Sequence, residues 1–227
     1  MKKTLIIVVA LSLIVAGAAL ATVVSSKHDM RAGVSGISGR YITASSGTLT
    51  QVCVFCHHPH RGYDSAVSTV LLWNISDTNQ TYATYRSPTT NAANVGGNVG
   101  SDDNAQYTLL CMGCHDGGAN NAFVKDSAEG TLGGAPNLLA SKGNLGSTLN
   151  DDHPVDFDYP SAWNGDAGPD IRPRDATDDA VNAPNGTYPM YGGTMQCATC
   201  HSVHDAATTG VQFMRGSIVG SAICIDC

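Results

Sequence analysis

The chain is poor in the residues that build an ordinary apolar core. Aromatic residues make up 6% and charged residues 14% of its 227 positions, while Gly alone contributes 25. Beyond the first twenty or so residues there is no long periodic apolar segment, and Ser, Thr, Asn and Asp are abundant. Such a chain buries too little apolar surface to offset its conformational entropy. If residues 22–227 form one domain, as the absence of a distinct linker suggests, something else must supply apolar mass or cross-links.

Positive charge is also scarce. The formal net charge is −7, with 12 Lys and Arg against 19 Asp and Glu, and Glu129 is the only glutamate. An acidic chain without a basic stripe is not expected to bind nucleic acid. The aspartates lack the spaced ligands and the closing glutamate of an EF-hand, so we interpret them as solvated turn residues.

The eight cysteines all fall into Cys-x-x-Cys pairs, and a histidine directly follows three of the pairs. The complete motifs are Cys53, Cys56 and His57; Cys111, Cys114 and His115; and Cys197, Cys200 and His201; the fourth pair is Cys224 and Cys227. On a helical turn, residues i, i+3 and i+4 share a face, so two thiols can meet the two vinyl groups of one haem while the histidine meets the iron. The sequence therefore predicts four covalently attached c-type haems, the fourth without its histidine.

Cys-x-x-Cys pairs are also compatible with zinc sites and with disulfides. Zinc also binds Cys-x-x-Cys pairs, but it does not require a histidine after the second cysteine. Disulfides fit an exported protein, but pairing within a motif strains a small ring, and pairing between motifs leaves the repeated histidine unexplained. For the fourth motif, we favour a chain that continues beyond Cys227 over another proximal ligand or an absent haem.

Residues 1–21 are typical of a secretory signal peptide. Lys2 and Lys3 precede an apolar run from Leu5 to Val15 and an Ala19-x-Ala21 cleavage site. Its removal takes the formal charge from −7 to −9. The alternative, a retained membrane anchor, is less favoured because the apolar run is short for a bilayer span. We expect a secreted, extracellular or cell-surface protein, or else a periplasmic one, with no membrane span after cleavage.

We expect a mostly irregular chain with a few short α-helices around the haem motifs and little β structure. Asp102 and Asp103 predict the start of a helix through Cys111 that ends at Gly117, and Ser221 predicts a cap for a short helix around Cys224. Gly, Pro, Asn and Asp predict long loops at Asn91–Gly100, Gly130–Asn150 and Pro160–Gly193.

Five further histidines are candidates for the second axial position of the four haems: His28, His58, His60, His153 and His204. His60 and His204 follow a proximal histidine by one helical turn, so each stays on the near side of its own haem and must serve a neighbouring one. This implies closely packed haems. Asp152 can hold the His153 imidazole in place by a hydrogen bond. His28 stands alone in the N-terminal segment. Four haems need only four of these five histidines, and we expect His58 to be the one that binds no iron.

With these motifs in this order, the chain resembles the extracellular tetrahaem cytochromes of the OmcE type, which polymerise into conducting filaments. The resemblance rests on the segments around Cys53 to His60, Cys111 to Gly117, His153-Pro154-Val155 and Cys197 to His204. It implies bis-histidine ligation at every iron, little regular secondary structure, and identical subunits joined head to tail. It also implies that His28 ligates a haem of the adjacent subunit.

The expected function is electron transfer along a haem chain, with redox proteins or extracellular acceptors as partners and no catalytic residues. A monomeric periplasmic electron shuttle has the same haems and is the main alternative. A multihaem reductase of nitrogen or sulfur oxyanions is a further alternative, but it would need an iron with an open axial position.

Overall fold

The computed structural model describes the four Cys-x-x-Cys motifs and most of the C-terminal third of the chain. The described residues are 23–24, 26–31, 50–58, 72–76, 80–83, 85, 99, 106–118, 123, 132, 143–165, 171–204 and 213–227. The predicted signal peptide, the predicted cap at Asp102 and Asp103, and His60 lie outside them.

The described residues contain short helices and little sheet. The α-helices are α1 (Gln106–His115), α2 (Tyr159–Gly165), α3 (Cys197–Cys200) and α4 (Ala222–Ile225), and 3-10 turns span Cys53–Phe55, Tyr191–Gly193 and Val219–Ser221. Four strands form two antiparallel pairs: β1 (Phe157–Asp158) with β4 (Thr194–Met195), and β2 (Ala180–Ala183) with β3 (Gly186–Pro189). This agrees with the expectation of a mostly irregular chain with few helices and little β structure.

Each cysteine pair lies on or next to a helical turn, as its spacing predicts. In the first pair, Cys53 begins the 3-10 turn at Cys53–Phe55 and Cys56 directly follows it. The second and third pairs lie within α1 and α3, and the fourth spans the end of α4. The glycine stop predicted after α1 is confirmed, because Gly117 has a φ of +69°, a conformation that favours glycine. The predicted Ser221 cap is wrong: Ser221 precedes α4 with a φ of +61° and its side chain makes no capping hydrogen bond.

The side chain of Gln196, the residue directly before the third motif, caps helix α1. Gln196 Oε1 accepts hydrogen bonds from the backbone N–H groups of Tyr107 (2.8 Å) and Thr108 (3.1 Å), two donors that have no partner inside the helix. Cys197 N in turn donates to Thr108 Oγ1 at 3.4 Å. Gln196 is only 1% exposed, so this cap joins the second and third motifs through buried polar contacts.

Replacing Gln196 by Ala is therefore expected to lower the free energy of unfolding by about 1 to 3 kcal/mol, since the N–H groups of Tyr107 and of the fully buried Thr108 lose their acceptor. The exposed Asn182, which hydrogen-bonds to Asp178, provides the matched control, and Asn182→Ala should cost less than about 0.5 kcal/mol. Chemical denaturation of the purified protein measures both, and equal effects would contradict the buried cap.

The stretch Pro160–Gly193 is not the continuous loop that its composition predicted. It contains most of α2 and the β2–β3 hairpin. Asp158 Oδ2 accepts a hydrogen bond from Ser161 N at 2.7 Å and so caps α2. Val181 and Tyr188 are both 0% exposed. Their burial holds the hairpin against the apolar cluster that also contains Phe157 and Met195.

Among the residues that the structure describes, the buried apolar side chains fall into three clusters. The main cluster is Phe157, Tyr159, Ala162, Val181, Tyr188, Met190, Met195 and Ile223. A second consists of Val54, Phe55 and Leu132, with Met30 and Phe123 against it, and a third consists of Tyr82, Met112 and Leu149, with Val99 and Leu109. Every cluster contains, or packs against, a residue of a Cys-x-x-Cys motif, since Cys200 and Cys227 contact the main one.

In the part of the chain that the structure describes, no helix is both long and apolar enough to cross a membrane.

Candidate haem sites

The residues between paired cysteines anchor the first three motifs. Val54 and Phe55 in the first motif, Met112 in the second and Thr199 in the third are at most 9% exposed. The cysteines on either side are partly or fully exposed, and all eight are free thiols. Each of these motifs therefore holds its backbone through its middle residues and leaves two sulfurs for an attached group.

A buried asparagine holds the first motif in place. Asn74 Nδ2 donates to Val54 O at 2.7 Å and Asn74 N donates to Cys56 O at 2.9 Å. His58 N donates to Leu72 O at 2.8 Å, so the chain near residues 72–74 runs antiparallel to the motif. No local sequence pattern predicts this support, because Asn74 lies about twenty residues after Val54 in the chain.

The thiols of different motifs lie close together. A hydrogen bond between Cys111 and Cys197 raises the pKa of the Cys111 thiol and lowers that of Cys197, so the second and third motifs touch. Burial, together with the nearby Cys197 and Cys224, raises the pKa of Cys200 to about 11. The third and fourth motifs are therefore neighbours as well, and groups bound at successive motifs would lie within contact of each other.

Two of the predicted ligands are held by backbone carbonyls. His115 Nδ1 lies 2.7 Å from Gly143 O, and His153 Nδ1 lies 2.8 Å from Pro154 O. A carbonyl only accepts, so Nδ1 carries the proton and donates, which leaves the Nε2 lone pair of a neutral ring for a metal. Metal-binding histidines are usually oriented in this way. For His153 the partner is the Pro154 carbonyl and not the carboxylate of Asp152 that the sequence suggested.

Four histidines form two close pairs. The ring centroids of His57 and His204 are 6.0 Å apart with an interplanar angle of 27°, and those of His28 and His115 are 6.1 Å apart at 71°. A metal–imidazole bond of about 2 Å places two imidazoles on opposite sides of one metal with their centroids about 6 Å apart. The interplanar angle is unrestricted, because each ring can turn about its own metal–nitrogen bond. Both pairs therefore have the spacing of a bis-histidine haem site.

The fourth cysteine pair is fixed by its buried Asp226. Tyr188 Oη donates to Asp226 Oδ2 at 2.7 Å, and Asn185 Nδ2 donates to Oδ1 at 3.0 Å. Cys227 O accepts hydrogen bonds from Tyr159 Oη and Arg172 N. Three large apolar side chains near Cys224 in the sequence are exposed, namely Ile218, Val219 and Ile225, as expected of a surface that an apolar group would cover.

Of the predicted ligands His201 and His60, the structure describes only His201. His201 is exposed and its backbone forms an isolated bridge with Met214, while His60 lies outside the described residues. Among the residues that the structure describes, no three His, Cys, Asp or Glu side chains gather into a site that could hold a metal ion alone. A haem iron takes its equatorial ligands from the porphyrin, so the protein need supply only the two axial ones.

Neither a scan against protein-family models nor a search of the curated proteins finds a match for this chain.

Proposed function

We propose that this protein is an electron carrier with covalently attached c-type haems. The observation that carries the proposal is the combination of three Cys-x-x-Cys-His motifs with two histidine pairs at 6.0 and 6.1 Å. The motifs account for the covalent attachment, and the pairs account for both axial ligands at two of the irons. A bound haem would supply a one-electron ferric–ferrous couple.

The protein's own residues would fix each haem in position. The paired cysteines form thioether links, and the buried residues between them keep those links attached to the three clusters. His57 and His115 serve as proximal ligands, and the hydrogen bond from His115 Nδ1 to Gly143 O fixes the ring orientation. Two nitrogen ligands on an iron leave no open axial position, which favours electron transfer over reduction of an oxyanion.

The pairing of His57 with His204 suggests a reciprocal arrangement. His204 follows the third motif by the same interval at which His60 follows the first. If His204 reaches from the third motif to the first, a similar reach from the first motif places His60 on the iron bound to His201. The two haems would then be stacked close together, as the sequence predicted from the Cys-x-x-Cys-His-x-x-His repeat.

We further propose that the protein is exported and that identical subunits join head to tail into an extracellular filament. The long polar segments, the exposed apolar surface around Cys224 and the resemblance to OmcE-type cytochromes support this assembly. A head-to-tail contact that does not close generates an open polymer. Such a polymer would extend a row of haems from one subunit to the next.

Negative-stain and cryo-electron microscopy of the native secreted material tests the assembly. The expected result is filaments with closely spaced haems running along their length. Monodisperse subunits whose haems are low-spin would instead favour a soluble periplasmic shuttle, and a high-spin haem that binds nitrite or sulfite would favour a reductase.

A further inference from the structure

Arg215 holds a positive charge against the third cysteine pair. Its Nε donates to Ala198 O, between Cys197 and Cys200, at 2.9 Å, and its backbone N–H donates to Cys200 O at 2.9 Å. Nη2 donates to Tyr191 Oη at 3.4 Å. A carbonyl and a phenol carry no formal charge, so these contacts orient the guanidinium without neutralising it. An arginine remains protonated at neutral pH.

The segment that carries Arg215 is bound along the third motif. Residues 213–215 run antiparallel to residues 200–202, with an isolated bridge between Met214 and His201 and backbone hydrogen bonds on either side of it. Arg215 is half-buried. At such a position water and salt screen a charge less than they do at the surface, so its field acts on whatever is attached at the third motif.

The second and fourth motifs carry charge of the opposite sign. Asp116 directly follows the second motif and is 4% exposed, and Asp226 lies between the cysteines of the fourth and is 1% exposed. Asp116 accepts hydrogen bonds from Tyr82 Oη at 3.1 Å and from Gly118 N at 2.7 Å, one at each carboxylate oxygen. The tyrosine and asparagine donors described above bind Asp226 in the same way. Acceptance at both oxygens is typical of an ionised carboxylate.

A fixed charge shifts the reduction potential of a haem beside it. Ferric haem carries one more positive charge than ferrous haem, so a nearby cation disfavours the ferric form and a nearby anion favours it. A haem attached through Cys197 and Cys200 would lie beside the Arg215 guanidinium, because the guanidinium binds the residue between these two cysteines. Haems at the second and fourth motifs would lie beside a buried carboxylate.

We infer that Arg215 raises the reduction potential of the haem at the third motif, so that this haem is reduced before its neighbours at the second and fourth motifs. The inference rests on the proposed function, since it requires attached haem. The resemblance implies the same two axial ligands at every iron, so the nearby charges decide the order. Because the third motif adjoins the other two, electrons would collect in the middle of this part of the row.

The test is a redox titration of the haem-loaded protein by NMR spectroscopy, in which the β-protons of the thioether cysteines identify each haem. Arg215→Gln should lower the potential of the third haem, and Arg215→Lys, which keeps the charge, should restore most of the loss. Lys27→Gln removes one positive charge from an exposed position. It is the matched control and should leave the third haem near its wild-type potential.

Two results would overturn the inference. A purely structural role for Arg215 predicts that Arg215→Gln and Arg215→Lys shift the potential alike, or that neither shifts it while resonance Raman spectroscopy shows unchanged iron ligation. A third haem that is reduced after both neighbours in the wild-type protein would also contradict the inferred effect of the charges.

A second variant covers the case in which Arg215→Gln fails to accumulate. Asp116→Asn keeps the shape of the side chain and removes the negative charge, so it should raise the potential of the second haem towards that of the third. A second haem whose potential falls or stays the same would overturn the inferred order. Intact mass separates these outcomes from failure of the proposed function, in which neither the wild type nor any variant carries haem.

Discussion

The polypeptide made without haem is expected to remain unfolded. In the described part of the chain, the buried apolar residues are divided among three small clusters, and none of the eight cysteines forms a disulfide. A single small core rarely outweighs the entropy of a chain of this length, and three disconnected ones do so less well. Thioether and iron–histidine bonds would join the clusters and restrict the unfolded chain as other cross-links do.

Circular dichroism and limited proteolysis of protein produced with and without haem attachment measure this effect. The haem-free chain should show no cooperative thermal transition and should be digested at protease concentrations that leave the haem-loaded protein intact. A haem-free chain that resists protease and unfolds cooperatively would contradict the proposed role of haem in folding.

The second large effect is expected from His204. Removing its imidazole by His204→Ala should convert the His57 haem from low spin to high spin without changing the number of attached haems, because Cys53 and Cys56 are untouched. His204→Met should raise the reduction potential of the same haem, by part of the roughly 0.8 V range that axial ligands span. The reason is that a methionine ligand favours ferrous iron relative to histidine.

Resonance Raman spectroscopy and a potentiometric titration measure the two His204 variants, and His58→Met serves as the control. His58 lies next to His57, but the close pair in the structure joins His57 to His204, so His58→Met should leave both readouts unchanged. If His58→Met shifted the reduction potential and His204→Met did not, the assignment of His204 as the second axial ligand would be contradicted.

Local features of the fold could be predicted from sequence. Helical turns at the cysteine pairs follow from a spacing of three residues, and the end of α1 follows from Gly117. The hairpin at 180–189 was missed although Asn185-Gly186 lies between segments with buried Val181 and Tyr188, a pattern that often indicates a β-turn. The density of Gly, Pro, Asn and Asp predicts a continuous loop there, because these residues are common both in long loops and in the tight turn of a hairpin.

Long-range contacts could not be predicted in the same way. The cap of α1 comes from Gln196, nearly ninety residues further along the chain, and no local pattern links it to Tyr107. The sequence identified His28 and His204 as ligand candidates, but which motif each one approaches depends on tertiary packing. The reach of His204 to another motif was expected from its position one turn after His201, whereas the placement of His28 beside His115 was not.

The measurement that tests the central claim most directly is the intact mass of the protein purified from its native source under denaturing conditions. Covalent attachment predicts a polypeptide that begins near Thr22 and carries the added mass of one haem for each cysteine pair used, at least the three pairs followed by histidine. The haem must remain bound after acid and organic-solvent extraction. A mass that matches the polypeptide alone, or a polypeptide that loses only zinc on denaturation, would contradict the account.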